Sequence, residues 1–345
     1  MSNRLEQLLV AVGNRRPIVS TWKHFVEVEN DYRALADTII AFQEKYEWDF
    51  IKVNPRATYY AEAFGNIYNK QNYTDVLPEL VNYPIKRAED LDFFLQEKAA
   101  EYNPFYEQVL LAKRVRKGVG DNIPILQTLF SPLCILTFLA GHNPYPGVNK
   151  PKSKRESELN VLIEKNPAGV KSALEKITEV LKRYVRDTLE NEIDGFFYSI
   201  FGHGDEGELA ADVYAEFSAP YDNQIFETIK EKGGTVMFHT CGPASHPEKF
   251  SQNKYIDIIH WADQEEHTPS LEKDMPWLNE KIAAGGVDQN LFKDNNRDKI
   301  LNQAQKAADA RKGLPFILTA GCGLPVVTND ESIWALKQAV VNGKK

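Results

Sequence analysis

Eight short apolar runs, most of them followed by a stretch of helical periodicity, predict an α/β protein of the (β/α)8 TIM-barrel class. No Gly-rich phosphate loop follows the first run, which weighs against a doubly wound sheet. No repeat, linker or low-complexity segment divides the chain, so its 345 residues read as a single domain.

Leu5, Leu8, Leu9 and Val12 share one face of a short amphipathic helix. Residues 17–22 read as the first strand, which leaves through Lys23, His24 and Phe25. Residues 31–46 follow as a helix with Leu35, Ile39, Ile40 and Tyr46 as its buried stripe. The second strand, 49–53, exits through Asn54, Pro55 and Arg56. Residues 66–120 show no strong strand pattern; helices over 91–102 and 104–117 make this a long helical crossover to the third strand, 123–130. Residues 133–139 are a short apolar stretch holding Cys134, which reads as core. Residues 149–157 are polar and lysine-rich and read as an exposed loop. A long amphipathic helix over 167–190 leads to the fourth strand, 194–200, with Gly202, His203, Gly204 and Asp205 at its exit. Residues 209–232 are helical with a break near Pro220. Strands at 235–239, 256–261, 281–286 and 316–320 complete the eight, and a helix over 331–341 closes the chain.

Composition narrows the function classes. Hydrophobic residues make up 43% of the chain, enough for a large core without disulfides. The 41 basic and 49 acidic residues leave a net charge of −8, which argues against nucleic acid as a partner. No window has the length and apolarity of a membrane span, and the first six residues lack an apolar signal core. Three cysteines cannot all pair, and their scarcity fits a reducing cytosol. The expectation is a cytoplasmic enzyme acting on a small molecule.

In a (β/α)8 barrel the active site opens at the carboxyl ends of the strands. That rule gathers Trp22, His24, Asn54, Arg56, Ser199, His203, His239, Cys241, Asp263, Asp288 and Cys322 at one mouth. The fifth strand ends on His239, followed by Cys241 and Gly242; the eighth leads into Gly321, Cys322 and Gly323. One ring nitrogen and two thiolates suit tetrahedral zinc, with a fourth position left for water or substrate. The flanking glycines free the backbone to turn these side chains inward. Zinc with two thiolates and a neutral imidazole sums to zero formal charge, and a substrate thiol in the fourth position would lose its proton. Methyl transfer to sulfur suits such a site, with Asp263 or Glu265 completing the metal shell when substrate is absent.

Other mouth residues have two readings each. His203, between two glycines, is the best remaining polar candidate for a catalytic role. Arg56 either grips a substrate carboxylate with its fork or forms an ordinary ion pair. Ser199 bonds a ligand or a neighbouring backbone group, and Trp22 and Trp261 line a pocket or fill core. His24 and Asn54, at strand exits, complete the candidate substrate-binding set. His246, His260 and His267 read as structural or exposed.

Several stretches together resemble the uroporphyrinogen decarboxylase superfamily. They are residues 194–202, the helix at 209–221 with Ala219, Pro220 and Tyr221, the His239–Thr240–Cys241–Gly242 turn, residues 256–263, the turn at 284–288, and residues 321–325 with Thr328. The likeness is good from about residue 190 onward and looser before it. It implies a (β/α)8 barrel, and Ser199 resembles the family's fourth-strand serine. True uroporphyrinogen decarboxylases carry an arginine-rich segment after the first strand, an aspartate after the second and a histidine in the C-terminal glycine turn. This chain has Trp22, Lys23, His24 and Phe25 at the first place, Asn54 at the second and Cys322 at the third. It is more similar to the branch of corrinoid-dependent methyltransferases, such as methylcobamide:coenzyme M methyltransferases, which hold zinc with an H-x-C and a later cysteine. That resemblance implies zinc ligation by His239, Cys241 and Cys322, activation of an acceptor thiol, a methylated corrinoid donor on a partner protein, and a homodimer. The alternatives are a metal-free decarboxylase of a porphyrinogen or other polycarboxylate, for which Lys23, His24 and Arg56 are the available cations, and a non-catalytic ligand-binding barrel.

Overall fold

All eight expected strands form, and two more appear. The computed structural model describes residues 3–13, 15–92, 103–145 and 156–341. In chain order the strands are β1 (Ile18–Val19), β2 (Ile51–Val53), β3 (Ile67–Thr74), β4 (Leu77–Asn82), β5 (Ile125–Phe130), β6 (Gly195–Ser199), β7 (Thr235–His239), β8 (Ile258–His260), β9 (Ile282–Val287) and β10 (Phe316–Ala320). Eight of them make one parallel sheet in the order β1-β10-β9-β8-β7-β6-β5-β2. Each of these strands is buried along nearly its whole length, which is why most of them read as largely apolar runs.

The sheet curls until its edge strands, β1 and β2, meet. No backbone ladder joins them, and side chains make most of the seam. Asp49 N–H donates to Val19 O at 3.1 Å. Val19 N–H donates to Asp49 Oδ2 at 2.8 Å, and Ser20 Oγ donates to Phe50 O at 2.7 Å. Arg16 holds the same carboxylate with both arms of its fork, at 2.6 and 2.7 Å. A charged acceptor thus takes the place of a missing carbonyl.

The barrel interior takes side chains from every wall strand or its flank, including Ile18, Phe50, Leu126, Phe197, Met237, Ile258, Ala284 and Ile317. Leu5 and Leu9 of the first helix, Arg4–Val12, join that cluster from below. Asn3 caps this helix and also bonds Gly233 O and Thr235 Oγ1, while Arg4 N–H bonds Asp194. The floor is therefore sealed at the amino ends of β6 and β7, and the opposite end is the mouth.

Two expectations need correction, at the crossover and at the end of the expected exposed loop. The crossover between the second and third wall strands is not wholly helical, because β3 and β4 form an antiparallel hairpin there. Its polar, mostly exposed residues Asn69, Lys70, Gln71 and Asn72 give no apolar alternation to read. The expected helix over 91–102 lies largely outside the described residues, and the next helix runs Asn103–Val119. Residues 133–139 belong to a fully buried helix, Pro132–Leu139, capped by Ser131. Of the expected exposed loop, 149–155 lie outside the described residues. Ser157 is buried, with its Oγ 3.0 Å from His142 Nε2. The break near Pro220 does occur, between helices Ala211–Phe217 and Ala219–Glu231.

Candidate metal centre

β7 ends on His239, whose side chain points into the barrel beside Phe197 and His260. His239 Nδ1–H donates to His260 O at 3.2 Å, in register with the partner strand. That bond fixes the ring and leaves Nε2 as the free lone pair, the arrangement a metal-ligating histidine needs. The chain then turns through Cys241 and Gly242, whose φ of 82° lies in the left-handed region. Cys241 N–H bonds the carbonyl of Phe201 at 3.0 Å. Phe201 itself has φ 48°, a conformation that costs of order 1–3 kcal/mol for a non-glycine residue. Strain at the β6 exit thus goes with the carbonyl that anchors the Cys241 turn.

After β10, Gly321 passes close against the β8 exit. A Cβ there would lie 2.7 Å from Ala262 Cα, so no side chain fits. This contact presents Cys322 to His239 and Cys241. Cys322 Sγ is 3.6 Å from Cys241 Sγ and 3.9 Å from His239 Nε2. The three ligand atoms all lie within 4.8 Å of one another. Their mutual contact, with His239 beside it, draws Cys322 well below its ordinary value and pushes Cys241 well above it. Two sulfurs facing an imidazole nitrogen at these distances are a donor set for a soft divalent cation, and the residues fit zinc.

His260, expected to be structural, sits against this group. Its Nε2 bonds Ala320 O at 2.9 Å and its Nδ1 is buried without a partner. Burial, then His239, hold it well below its ordinary value, so the ring is neutral. Sequence reasoning passed over two neighbours. Lys52 on β2 is buried; its ammonium lies 4.4 Å from the Phe197 ring centroid and 5.2 Å from that of Trp22. Burial lowers it to about 7, and the charge of Cys322 offsets part of that effect. Tyr145 packs 4.4 Å from Phe201. Burial raises its phenol well above the ordinary value, as do the sulfurs of Cys322 and Cys241.

The other predicted residues divide. Trp22 lines the interior beside Phe197 and His260. Asn54 reaches it only by accepting from Lys52 through Oδ1. Ser199 Oγ accepts from Phe201 N–H at 3.2 Å and so bonds backbone. Arg56 does not offer a free fork: Glu62 takes Nε and Nη2 at 3.0 Å each, and Glu107 lies 3.3 Å away. His24 Nδ1 is 3.1 Å from Glu29, which also accepts from Tyr73 of the hairpin at 3.1 Å. His203 faces Cys134 Sγ at 3.5 Å rather than the three ligands. Asp263 accepts from Gly286 N–H and from Gln264, both at 2.7 Å. Among the described residues no carboxylate joins the His239, Cys241 and Cys322 group.

Fold and site together define a (β/α)8 barrel enzyme with a soft-ligand cluster at its mouth. The sequence model of the family Uroporphyrinogen decarboxylase (URO-D) matches residues 15–342, and the chain belongs to that family. It is similar to the uroporphyrinogen decarboxylase of Crocosphaera subtropica, 24% identical over 264 residues, covering 74% of this chain and 67% of the relative. That of Prochlorococcus marinus NATL1A is 23% identical over 261 residues, covering 73% and 67%. Among solved structures, a methyltransferase from Methanosarcina mazei superposes with a TM-score of 0.75 at 18% identity, covering 99% of this chain and 98% of that one. A B12-independent methionine synthase from Shewanella sp. W3-18-1 superposes with a TM-score of 0.57 at 13% identity, covering 95% and 93%. Among the described residues no helix is long and apolar enough to cross a membrane.

Proposed function

We propose that this chain is a zinc-dependent methyltransferase that moves a methyl group from a methylated corrinoid, carried by a partner protein, to a small thiol. The convergence of His239 Nε2, Cys241 Sγ and Cys322 Sγ within 4.8 Å carries this reading. Zinc held by these residues would keep a fourth position for the acceptor and lower its thiol pKa, supplying a thiolate at neutral pH. The protein's own part is positioning. The carbonyl of His260 holds the His239 ring in the required tautomer. The Phe201 carbonyl and the Gly321 contact fix the two sulfurs. Trp22, Phe197 and the neutral His260 ring wall the site with poorly hydrated surface, which strengthens charge interactions inside it.

The decarboxylase reading draws on the names of the curated relatives. It needs several free cations for a polycarboxylate, and Arg56 and His24 already face glutamates. The deciding experiment is the metal content of protein purified without chelator, beside Cys241→Ser and Cys322→Ser, followed by methyl transfer from methylcobalamin to thiols. About one zinc per chain, lost in both variants, with thiol methylation, is expected. No zinc after reconstitution under reducing conditions, with turnover of a porphyrinogen, would establish the decarboxylase instead.

A further inference from the structure

A cavity of about 310 Å³ lies outside the barrel wall, behind the exits of β6 and β7. Phe238 faces it from β7, on the side opposite the interior residue Met237. Helix Ala219–Glu231 supplies Asp222 and Phe226, and Tyr214 and Phe250 complete the aromatic wall. The inner end is closed, since Asp222, Phe226 and Phe238 are each at most 1% exposed. The outer end carries the exposed side chains of Glu206 and Lys249. The volume and the mixture of apolar wall with a few polar groups are those of a small-molecule site.

The charge on this wall is one-sided. Lys249 pairs with Glu206, and Asn253 donates to Asn223 at 2.7 Å. His203 faces Cys134 through Nδ1. Asp222 is left with hydroxyl partners: Oδ1 accepts from Tyr198, and Oδ2 accepts from Tyr214 at 2.9 Å and Ser218 at 2.8 Å. An ionised carboxylate has about four acceptor sites, so one on Oδ1 remains open. Among the described residues no cation pairs with Asp222. A buried carboxylate without a counter-ion is costly, and the aromatic rings around it attract cations.

We infer that this cavity is a binding site for a small primary amine with an aromatic or similarly apolar body, its ammonium on Asp222 and its body among Phe226, Phe238 and Phe250. The size follows from the volume. An apolar cavity of about 150 Å³ takes one benzene ring, so this one has room for a ring and a short aminoalkyl chain. The charge follows from Asp222. An acid would bring a second anion beside it, and a polyamine would bring more charge than one carboxylate balances. The inference stands apart from the metal reading, because none of His239, Cys241 and Cys322 lines the cavity.

The test is calorimetric titration of the protein as purified, at neutral pH, with 2-phenylethylamine, 2-phenylethanol and 3-phenylpropionate, which are alike in shape and differ in charge. The amine is expected to bind at least about tenfold more tightly than the alcohol, the difference a charge-assisted hydrogen bond supplies, and the acid to bind most weakly. Asp222→Asn keeps the shape and removes the charge. It is expected to bring the amine down to the level of the alcohol while binding the alcohol within about twofold of wild type. Equal binding of amine and alcohol by wild type overturns the inference, and that comparison needs no variant. Binding of the acid as tightly as the amine, or no binding of the amine at millimolar concentration, overturns it too. An amine preference that survives in folded Asp222→Asn puts the amine elsewhere and also overturns it.

Discussion

The chain holds two cysteine–histidine pairs, and they differ in everything but composition. At the mouth, Cys322 lies 3.9 Å from His239 Nε2, a second thiol lies 3.6 Å away, and two loops from distant parts of the chain converge. Behind the β6 exit, Cys134 lies 3.5 Å from His203 Nδ1, inside a fully buried helix. The rear pair is the closer of the two. Yet burial drives the Cys134 thiol far up, whereas the thiol of Cys241 draws Cys322 well down. The mouth pair has a third convergent donor and a partly exposed sulfur, which the closer rear pair lacks, so short distance alone does not make a donor set. The rear pair has a different companion, the carboxylate of Asp222, which accepts from Tyr198, Tyr214 and Ser218.

Each side of this contrast can be attacked. The largest effect is expected from Cys241→Ser or Cys322→Ser, which should abolish stoichiometric zinc by elemental analysis, while Cys134→Ala leaves it unchanged. If Cys134→Ala also lost zinc in a folded protein, the contrast would fail. Alkylation sharpens the same point. In metal-free native protein, mass spectrometry should find Cys322 labelled by iodoacetamide and Cys134 protected, and zinc should protect Cys322.

A pH titration probes the rear pocket. Burial raises the Asp222 carboxyl to about 6 in the folded state against 3.8 for the free side chain. Between these values the folded state holds a proton that the unfolded chain releases, so this group's contribution to stability falls as pH rises. The total is of order 3 kcal/mol at most. Asp222→Asn should flatten that segment of the denaturation midpoint against pH. An unchanged profile would mean the carboxyl titrates normally. The smallest effect is expected from Cys134→Ala itself, about 1 kcal/mol of stability lost for a small buried side chain, read from the urea midpoint.

The wall of the barrel was legible because strands covered on both faces are mostly apolar, and the eight runs from Ile18 to Ala320 have that character with few polar interruptions such as Lys52 and Gln127. The hairpin was not, because its side chains face solvent. The candidate metal group was legible because each of its cysteines follows an apolar run and is flanked by glycine. Arg56 and His24 looked available only because sequence does not show that Glu62 and Glu29, six and five residues on, fold back onto them. Lys52 was missed for the opposite reason. It is the one charged residue in an otherwise apolar strand, and such a lysine normally reaches solvent.

The seam between β1 and β2 has a kinetic consequence. Amide protons along the continuous ladder from β5 through β10 can reach solvent only if neighbouring strands part together. The amide of Val19 is held at the seam by the side chain of Asp49, which can swing away without disturbing any ladder. Deuterium should therefore enter the barrel wall first at this latch and last at β6 and β7. The ring behaves as a strip with a fastening, and its softest line runs beside the strand that carries Lys52.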